Sequence, residues 1–106
     1  MPDVFERTIE VARIDRAEPF PETRKAEMVK LWLDLGDREL QSAAQLGYHH
    51  DPAALSGRQV LCVTDLDAVN VAGFESEALT LGVPGDDGTP VLVGPDEDVP
   101  LGGELY

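Results

Sequence analysis

Basic residues are scarce in this sequence, and their scarcity limits where a cationic surface can form. Only 8 of the 106 residues are Lys or Arg, against 21 Asp or Glu, which gives a formal net charge of −13. All eight basic residues precede residue 59, so the segment 59–106 contains acids and no base. Any cationic surface must therefore be built from the first half of the chain.

Cysteine, aromatic residues and long apolar runs are also rare. Cys62 is the only cysteine, so no internal disulfide can form, and its apolar neighbours predict a small buried side chain rather than a reactive thiol. No apolar run approaches the about 20 residues of a membrane-spanning helix. The first residues lack the basic and apolar regions of a signal peptide. These absences predict a soluble, cytoplasmic protein with a mainly aliphatic core.

The acidity itself favours a folded protein that works at high salt. The hydrophobic content of 42% is too high for a disordered chain. In concentrated salt, where the screening length is about 3 Å at 1 M, self-repulsion among carboxylates is weak. We therefore predict a halophilic archaeal source, with an ordinary acidic protein from a low-salt organism as the alternative.

Alternating apolar residues predict β-strands along most of the chain. The clearest two-residue period runs from 29 to 35, where every odd position is apolar. After a short N-terminal arm at 1–7, a first strand is expected at 8–17, with a bulge and with Ile9, Val11 and Ile14 facing inward. Further strands are expected at 38–46, 59–64, 76–81 and 91–93.

One short helix is predicted at 51–57, where Asp51 can cap it, Pro52 can begin it and Gly57 can end it. The order of three strands, a short helix and further strands matches the OB-fold, a five-stranded Greek-key barrel. The fold class predicted is therefore all-β with one short helix, an OB-fold with short N- and C-terminal extensions. Residues 1–106 are expected to form a single domain.

Several chemistries lack the residues that they require. His49 and His50 are adjacent on a loop, an arrangement that rarely directs two imidazoles at one ion, and no cysteine or distant histidine completes a metal site. Ser42 and Ser56 have no histidine at a suggestive spacing. No glycine-rich phosphate-binding motif occurs. We predict no enzyme activity and no catalytic residue, metal or cofactor.

The most informative segment is 71–82, which reads VAGFESEALTLG. Gly73 permits a backbone angle that a β-carbon opposes, and Phe74 supplies an apolar anchor beside it. Leu79 and Leu81 alternate with Thr80 as in a half-buried strand. The segment thus predicts an irregular loop that leads into a short strand.

This segment resembles the A-G-F-x-S-E-x-L-x-L-G signature of the CsaA-like tRNA-binding domains, relatives of dimeric tRNA-binding proteins and of the C-terminal domain of many methionyl-tRNA synthetases. Other segments agree in order and spacing. Residues 22–25 resemble the family's E-A-R-K loop, 33–36 its I-D-F-G turn, 41–46 its K-Q-S-S-A-Q-I strand, and 48–60 its Y-x-P-E-D-L-x-G-R-Q-V segment. The resemblance covers nearly the whole chain.

The resemblance implies an OB-fold homodimer that recognises tRNA by its shape and backbone without catalysis, alone or with an aminoacyl-tRNA synthetase as partner. Two alternatives stay open: an export-related chaperone that binds unfolded or preprotein peptides, and a structural adaptor that has lost RNA binding. The residues carried over by similarity as RNA-facing are Arg24, Lys25, Ser42, Gln45, Gly73, Phe74, Ser76 and Leu79.

Departures from the family pattern bear on these alternatives. Glu10, Leu40 and Glu75 stand where relatives often have a basic residue, which favours the chaperone or the adaptor, whereas Arg24 and Lys25 favour RNA binding. Outside the family pattern, Trp32 lies on the polar side of its strand. It is open to a packing, dimer or RNA contact, of which packing or dimerisation is preferred.

Overall fold

The structure, a computed structural model, describes residues 6–106, so most of the N-terminal arm predicted for 1–7 lies outside the described residues. Its strands are β1 (Ile9–Pro19), β2 (Val29–Asp34), β3 (Glu39–Ala44), β4 (Gln59–Val63), β5 (Val69–Val71), β6 (Phe74–Ser76), β7 (Leu79–Thr80), β8 (Gly82–Pro84) and β9 (Pro90–Leu92). Five of them form one antiparallel sheet in the order β3-β2-β1-β4-β7. β5 pairs with β6 and β8 with β9 as separate hairpins.

The long strand β1 holds the sheet together because it pairs on both sides. Its first half pairs with β4 and its second half with β2. The register shifts between Ile14 and Arg16, which confirms the predicted bulge. Beside the first half lies the C-terminal segment, where the amide of Val11 donates to the carbonyl of Gly103 at 2.9 Å.

The sheet curls until β3 meets the start of β7, and the barrel is nearly closed. The backbone amides of Glu77 and Ala78 both donate to the carbonyl of Gln41, at 2.8 and 3.1 Å. Inside this junction the hydroxyl of Thr80 donates to Ser42 Oγ at 2.8 Å. The result is an OB-like barrel, as the sequence predicts.

The barrel interior is aliphatic, and β2 supplies its central layer. Leu31 and Leu33 are fully buried, which confirms the alternation predicted for this strand. In β1 the inward residues are Ala12 and Ile14, while Val11 is buried outside the core cluster. Because residues two apart share a face of a strand, the inward orientation predicted for Val11, and with it Ile9, is wrong.

Two further elements differ in detail from the prediction. The short helix is a single 3₁₀ turn, Pro52–Ala54, and Asp51 caps it, because its Oδ1 accepts from the Ala53 amide at 3.1 Å. Strand β5 is not among the strands predicted from the sequence. None of the helical structure in residues 6–106 is long and apolar enough to cross a membrane.

The strand predicted at 76–81 is two strands, β6 and β7, because Glu77 and Ala78 turn their amides toward β3. The side-chain phase of β7 is also the reverse of that expected. Thr80 is buried and Leu79 is 50% exposed. A threonine can face the interior here because Ser42 satisfies its hydroxyl.

Candidate nucleic-acid interface

The hairpin β5–β6 turns through two residues with left-handed backbone. Ala72 has φ +48° and Gly73 has φ +88°, as a type I′ turn requires at both central positions. The amide of Gly73 donates to Asn70 Oδ1 at 3.0 Å. This turn brings Phe74 directly opposite Val71 and points the hairpin back onto the barrel.

Phe74 fastens the hairpin to the outer face of the barrel. It is 9% exposed and packs with Phe20 and Met28 in a second, aromatic cluster that Trp32 borders. Its ring centroid lies 5.6 Å from those of both Phe20 and Trp32, in edge-to-face geometry. Phe74 is therefore an anchor for the hairpin, and its ring is occupied by packing.

Polar side chains attach the end of the hairpin to the free edge of β3. Ser76 Oγ accepts from the amide of Ala43 at 3.1 Å, and Glu77 Oε1 accepts from the amide of Gln41 at 2.9 Å. The Gln41 side chain in turn donates to the carbonyl of Glu75 at 3.0 Å. Because β3 is an edge strand of the described sheet and its ladder is with β2, these amides need other partners, which Ser76 and Glu77 supply.

Two adjoining grooves lie between the hairpin, the loop 21–28 and β7. The first has a volume of about 590 Å³ and is lined by Glu22, Thr23, Arg24, Lys25, Met28, Ala43, Val69, Asn70, Val71, Ala72 and Ser76. The second, of about 370 Å³, shares Lys25, Met28 and Ala43 with the first and adds Ala44, Gln45, Leu46, Leu79, Thr80, Leu81, Gly82 and Pro90. Lys25 thus lines both depressions, of which the second is the more apolar.

The grooves bring together most of the residues predicted to face RNA: Arg24, Lys25, Gln45, Ser76 and Leu79. Gln45 also braces the loop, because its side-chain amide donates to the carbonyl of Ala26 at 3.0 Å. Gly73 lies at the hairpin turn. Ser42 is fully buried and, like Phe74, supports this surface from beneath.

Positive charge at the grooves comes from Arg24 and Lys25, which are both exposed. Thr23 Oγ1 accepts from the amide of Lys25 at 3.0 Å and fixes the tight turn that carries them. Within residues 6–106, neither cation has a carboxylate within 4.0 Å. Their charge is therefore available to an external anion.

Glu10, which replaces a basic residue of the family pattern, lies inside the molecule. It is 8% exposed and accepts from Arg38 Nη2 at 2.8 Å and from the hydroxyl of Thr64. Hydrogen bonds to Glu10, and then to Asp37, raise the pKa of Arg38. The missing base at position 10 therefore removes no cation from the grooves.

Two cations near the grooves are absent from the set predicted from the sequence. Lys30 Nζ lies 4.7 Å from the ring centroid of Phe20 and 5.4 Å from that of Phe74. Arg16 Cζ lies 3.9 Å above the ring of Trp32. A signal existed in the sequence, since Lys30 and Trp32 are two apart and must share the outer face of β2.

The adjacent histidines hold two different segments. His49 Nε2 lies 2.6 Å from Thr89 Oγ1 and 3.3 Å from Asp87 Oδ1. His50 Nε2 accepts from the amide of Leu92 at 3.2 Å, and burial lowers the pKa of this imidazole. In the part of the chain that the structure describes, no group of three or more His, Cys, Asp or Glu is placed to hold a metal.

The chain is similar to known proteins over the segment that contains all nine strands of the described part of the chain. Residues 9–104 match the family model described as "Putative tRNA binding domain". Among solved structures, the chaperone CsaA of Bacillus anthracis str. Ames is 30% identical, with a TM-score of 0.87 over 94% of this chain and 91% of that chain. The CsaA chaperone protein of Picrophilus torridus is 28% identical, with a TM-score of 0.84 over 95% and 92%.

Longer proteins also contain a similar segment. The methionine–tRNA ligase of Methanococcus aeolicus is 32% identical over 97 residues, which is 92% of this chain but 14% of that protein. The chain thus spans about one seventh of the length of such curated relatives.

Proposed function

The chain belongs to the tRNA-binding domain family, and we propose that it binds tRNA, without catalysing a reaction, by recognising the shape and backbone of the RNA. One observation carries the proposal: Arg24 and Lys25 are exposed, lack ion-pair partners in the described residues, and together line the first groove, while Lys25 also lines the second. Backbone recognition depends on such cations, because phosphate contacts dominate affinity for nucleic acids.

We assign the residues of the proposed interface different roles. Arg24 and Lys25 contact phosphates, and the half-exposed Leu79 offers an apolar surface to a ribose or base. Gln45 and Ser76 line the grooves and hold their walls in place. Gly73, Phe74 and Ser42 act from beneath or beside the surface, by fixing the hairpin and the β3–β7 junction.

A homodimer in the cytoplasm is part of the proposal. Exposed apolar side chains outside the two grooves offer area for a second copy, since Val83 is 52% exposed and Leu105 is 39% exposed. The similar segments within methionine–tRNA ligases make an aminoacyl-tRNA synthetase the second partner we propose. Light scattering at high and low salt measures the mass of the purified chain, and a monomeric mass in both would contradict the dimer.

A peptide-binding, export-related chaperone is the second candidate. The second groove, with Met28, Leu46 and Leu81 in its lining, favours it, as does the likeness to CsaA chaperones. A structural adaptor without RNA binding is the third candidate, and the net charge of −13 favours that one.

A titration of labelled total tRNA against the purified chain, in dilute buffer and in about 2 M KCl, tests the main proposal. Saturable binding is expected. The double variant Arg24→Ala/Lys25→Ala should bind about tenfold more weakly in dilute buffer, and Ser76→Ala, which frees the Ala43 amide, should weaken binding less. Arg13→Ala is the control, because Arg13 is paired with Asp98 and lines neither groove.

The outcomes separate the candidates. No saturable tRNA binding in either salt, or binding that is indifferent to all three changes at the grooves, contradicts the proposal. Binding of an unfolded peptide that survives Arg24→Ala/Lys25→Ala but is lost in Leu79→Ser would support the chaperone instead. Absence of both activities would leave the adaptor.

A further inference from the structure

Trp32 lies on the outer face of β2, and the face of its ring is covered by an arginine side chain. The guanidinium of Arg16 stacks on its ring at 3.9 Å, while its contact with Phe74 is edge-to-face. The side chain of Arg16 is itself 61% exposed. The group that covers this aromatic face is therefore a long, flexible side chain in contact with solvent.

Arg16 belongs to a row of cations that begins at the grooves. Lys25 and Phe20 line one further depression in the loop 21–28. Lys30 lies above the ring of Phe20, and Arg16 lies above Trp32 on the adjoining strand, in register with it. Lys30 and Arg16 thus lie over aromatic rings, and Lys25 lines a depression beside one of them. This arrangement suits a nucleic-acid strand whose bases stack on aromatic side chains while its phosphates contact cations.

We propose that Trp32 is a stacking site for an unpaired nucleobase, and that Arg16 leaves the ring and contacts a neighbouring phosphate when the base enters. The inference rests on the proposed function and deepens it, since it names unpaired nucleotides as the part of the RNA bound here. A planar base can replace a planar guanidinium on the indole at little cost. Glu18, whose Oε2 lies 3.3 Å from Arg16 Nε, keeps the arginine beside the ring.

The purely structural alternative makes a different prediction. If the Arg16–Trp32 contact served stability alone, its loss would lower stability and leave RNA affinity unchanged. Unpaired bases, by contrast, are the elements that aromatic side chains of RNA-binding proteins stack upon, because their faces are free. Base-paired RNA of the same charge should therefore not occupy Trp32.

The chain contains one tryptophan, so its fluorescence reports on this site alone. Labelled tRNA, an unlabelled single-stranded oligoribonucleotide and a duplex of the same length are each titrated into the full chain, with N-acetyltryptophanamide as the control for absorbed light. Anisotropy of the labelled tRNA is recorded in the same samples. We expect saturable quenching of Trp32 by tRNA and by the single strand, and little by the duplex.

Two outcomes overturn the inference alone: tRNA anisotropy that rises without quenching, or equal quenching by single strand and duplex. If anisotropy shows no tRNA binding, the proposed function fails and this inference fails with it. The two failures are thus distinguishable in one experiment.

Variants supply an independent readout. Arg16→Gln keeps Trp32 and its packing on Phe74, and is expected to weaken single-strand binding about threefold to tenfold. Trp32→Phe should keep most of the affinity and Trp32→Ala should lose about tenfold. Arg13→Gln on the same strand is the matched control and should change nothing. Because Trp32→Ala also removes packing, Arg16→Gln decides: an unchanged affinity in that variant overturns the inference.

Discussion

The arginines in two regions of this small barrel have different neighbours. Arg38 lies 2.8 Å from Glu10 and 2.9 Å from Asp37, and Glu10 is nearly buried. Arg16 lies over the ring of Trp32 and its carboxylate partner, Glu18, is exposed to solvent, while Arg24 has no ion-pair partner among residues 6–106. In the first region Arg38 neutralises an internal carboxylate. In the second region the cations lie at the surface, over an aromatic ring or without a carboxylate partner in the described residues.

This difference explains how an acidic chain can present a local anion site. A guanidinium paired with a buried carboxylate cannot leave it without stranding a charge of opposite sign. A cation that rests on a ring keeps its full charge, and the contact contributes only about 0.5–1 kcal/mol at an exposed site. The position and pairing of the few basic residues, more than the net charge, therefore decide where RNA can bind.

The largest effect that tests this comparison is on stability. Arg38→Ala should lower the free energy of unfolding by about 2–3 kcal/mol, because it leaves the Glu10 carboxylate nearly buried without its cation. Arg13→Ala, which breaks the more exposed pair with Asp98, should cost about 1 kcal/mol or less. Urea denaturation at neutral pH measures both. Equal losses would show that Arg38 has no special internal role.

The second test is the salt dependence of tRNA binding. The plot of log Kobs against log salt falls less steeply by about 1 for each phosphate contact that is lost. Arg24→Ala/Lys25→Ala should therefore reduce the steepness of the slope by about 2. Arg38→Ala should leave the slope unchanged, because that guanidinium is already paired. A reduced slope in Arg38→Ala would break the distinction between the two regions.

The third test uses a group inside the barrel. Burial, and then the nearby charge of Glu10, raise the pKa of Cys62 to about 11 from 9.0. A raised folded-state pKa means that the stability is complete below pH 9 and is lost as pH rises toward 11. The free energy of unfolding should fall by about 1 kcal/mol between pH 8 and pH 10 on this account.

Chemical denaturation at several pH values checks the Cys62 prediction. Cys62→Ala is the control: its absolute stability can differ, but the part of the alkaline loss that belongs to the thiol should disappear. An identical pH profile in the two proteins would contradict the assignment. The folded thiol should also resist alkylation at pH 8, since Cys62 is fully buried.

The sequence predicts the barrel well because its signals are local. The alternation of β2 and the glycine at the hairpin turn are read from neighbouring residues, and both are confirmed. The phase of β7 is not local. Thr80 faces inward because Ser42, 38 positions away, accepts its hydrogen bond, and no pattern within 76–81 contains that information.

In the candidate site, too, the sequence predicts what depends on neighbouring residues and misses what depends on distant ones. Arg24 and Lys25 are adjacent in the sequence and remain adjacent on the surface. Ser42 was expected near RNA by similarity, yet it is buried, since its strand closes the barrel there. The stacking of Arg16 on Trp32 depends on the register after the β1 bulge, which only the paired strands define.

The smallest effect that tests the comparison concerns two glycines of equal geometry in different regions. Gly73 and Gly88 have φ of +88° and +82°, and an added Cβ would meet no atom within 4 Å at either one. Alanine at each should therefore cost about 1 kcal/mol of stability, from backbone strain alone.

Gly73 belongs to the hairpin that forms one wall of the first groove, whereas Gly88 lies in the turn between β8 and β9. Gly73→Ala should thus weaken tRNA binding about twofold, because the hairpin opens more often, while Gly88→Ala should not. Equal affinities at matched stability would exclude the hairpin from the binding surface.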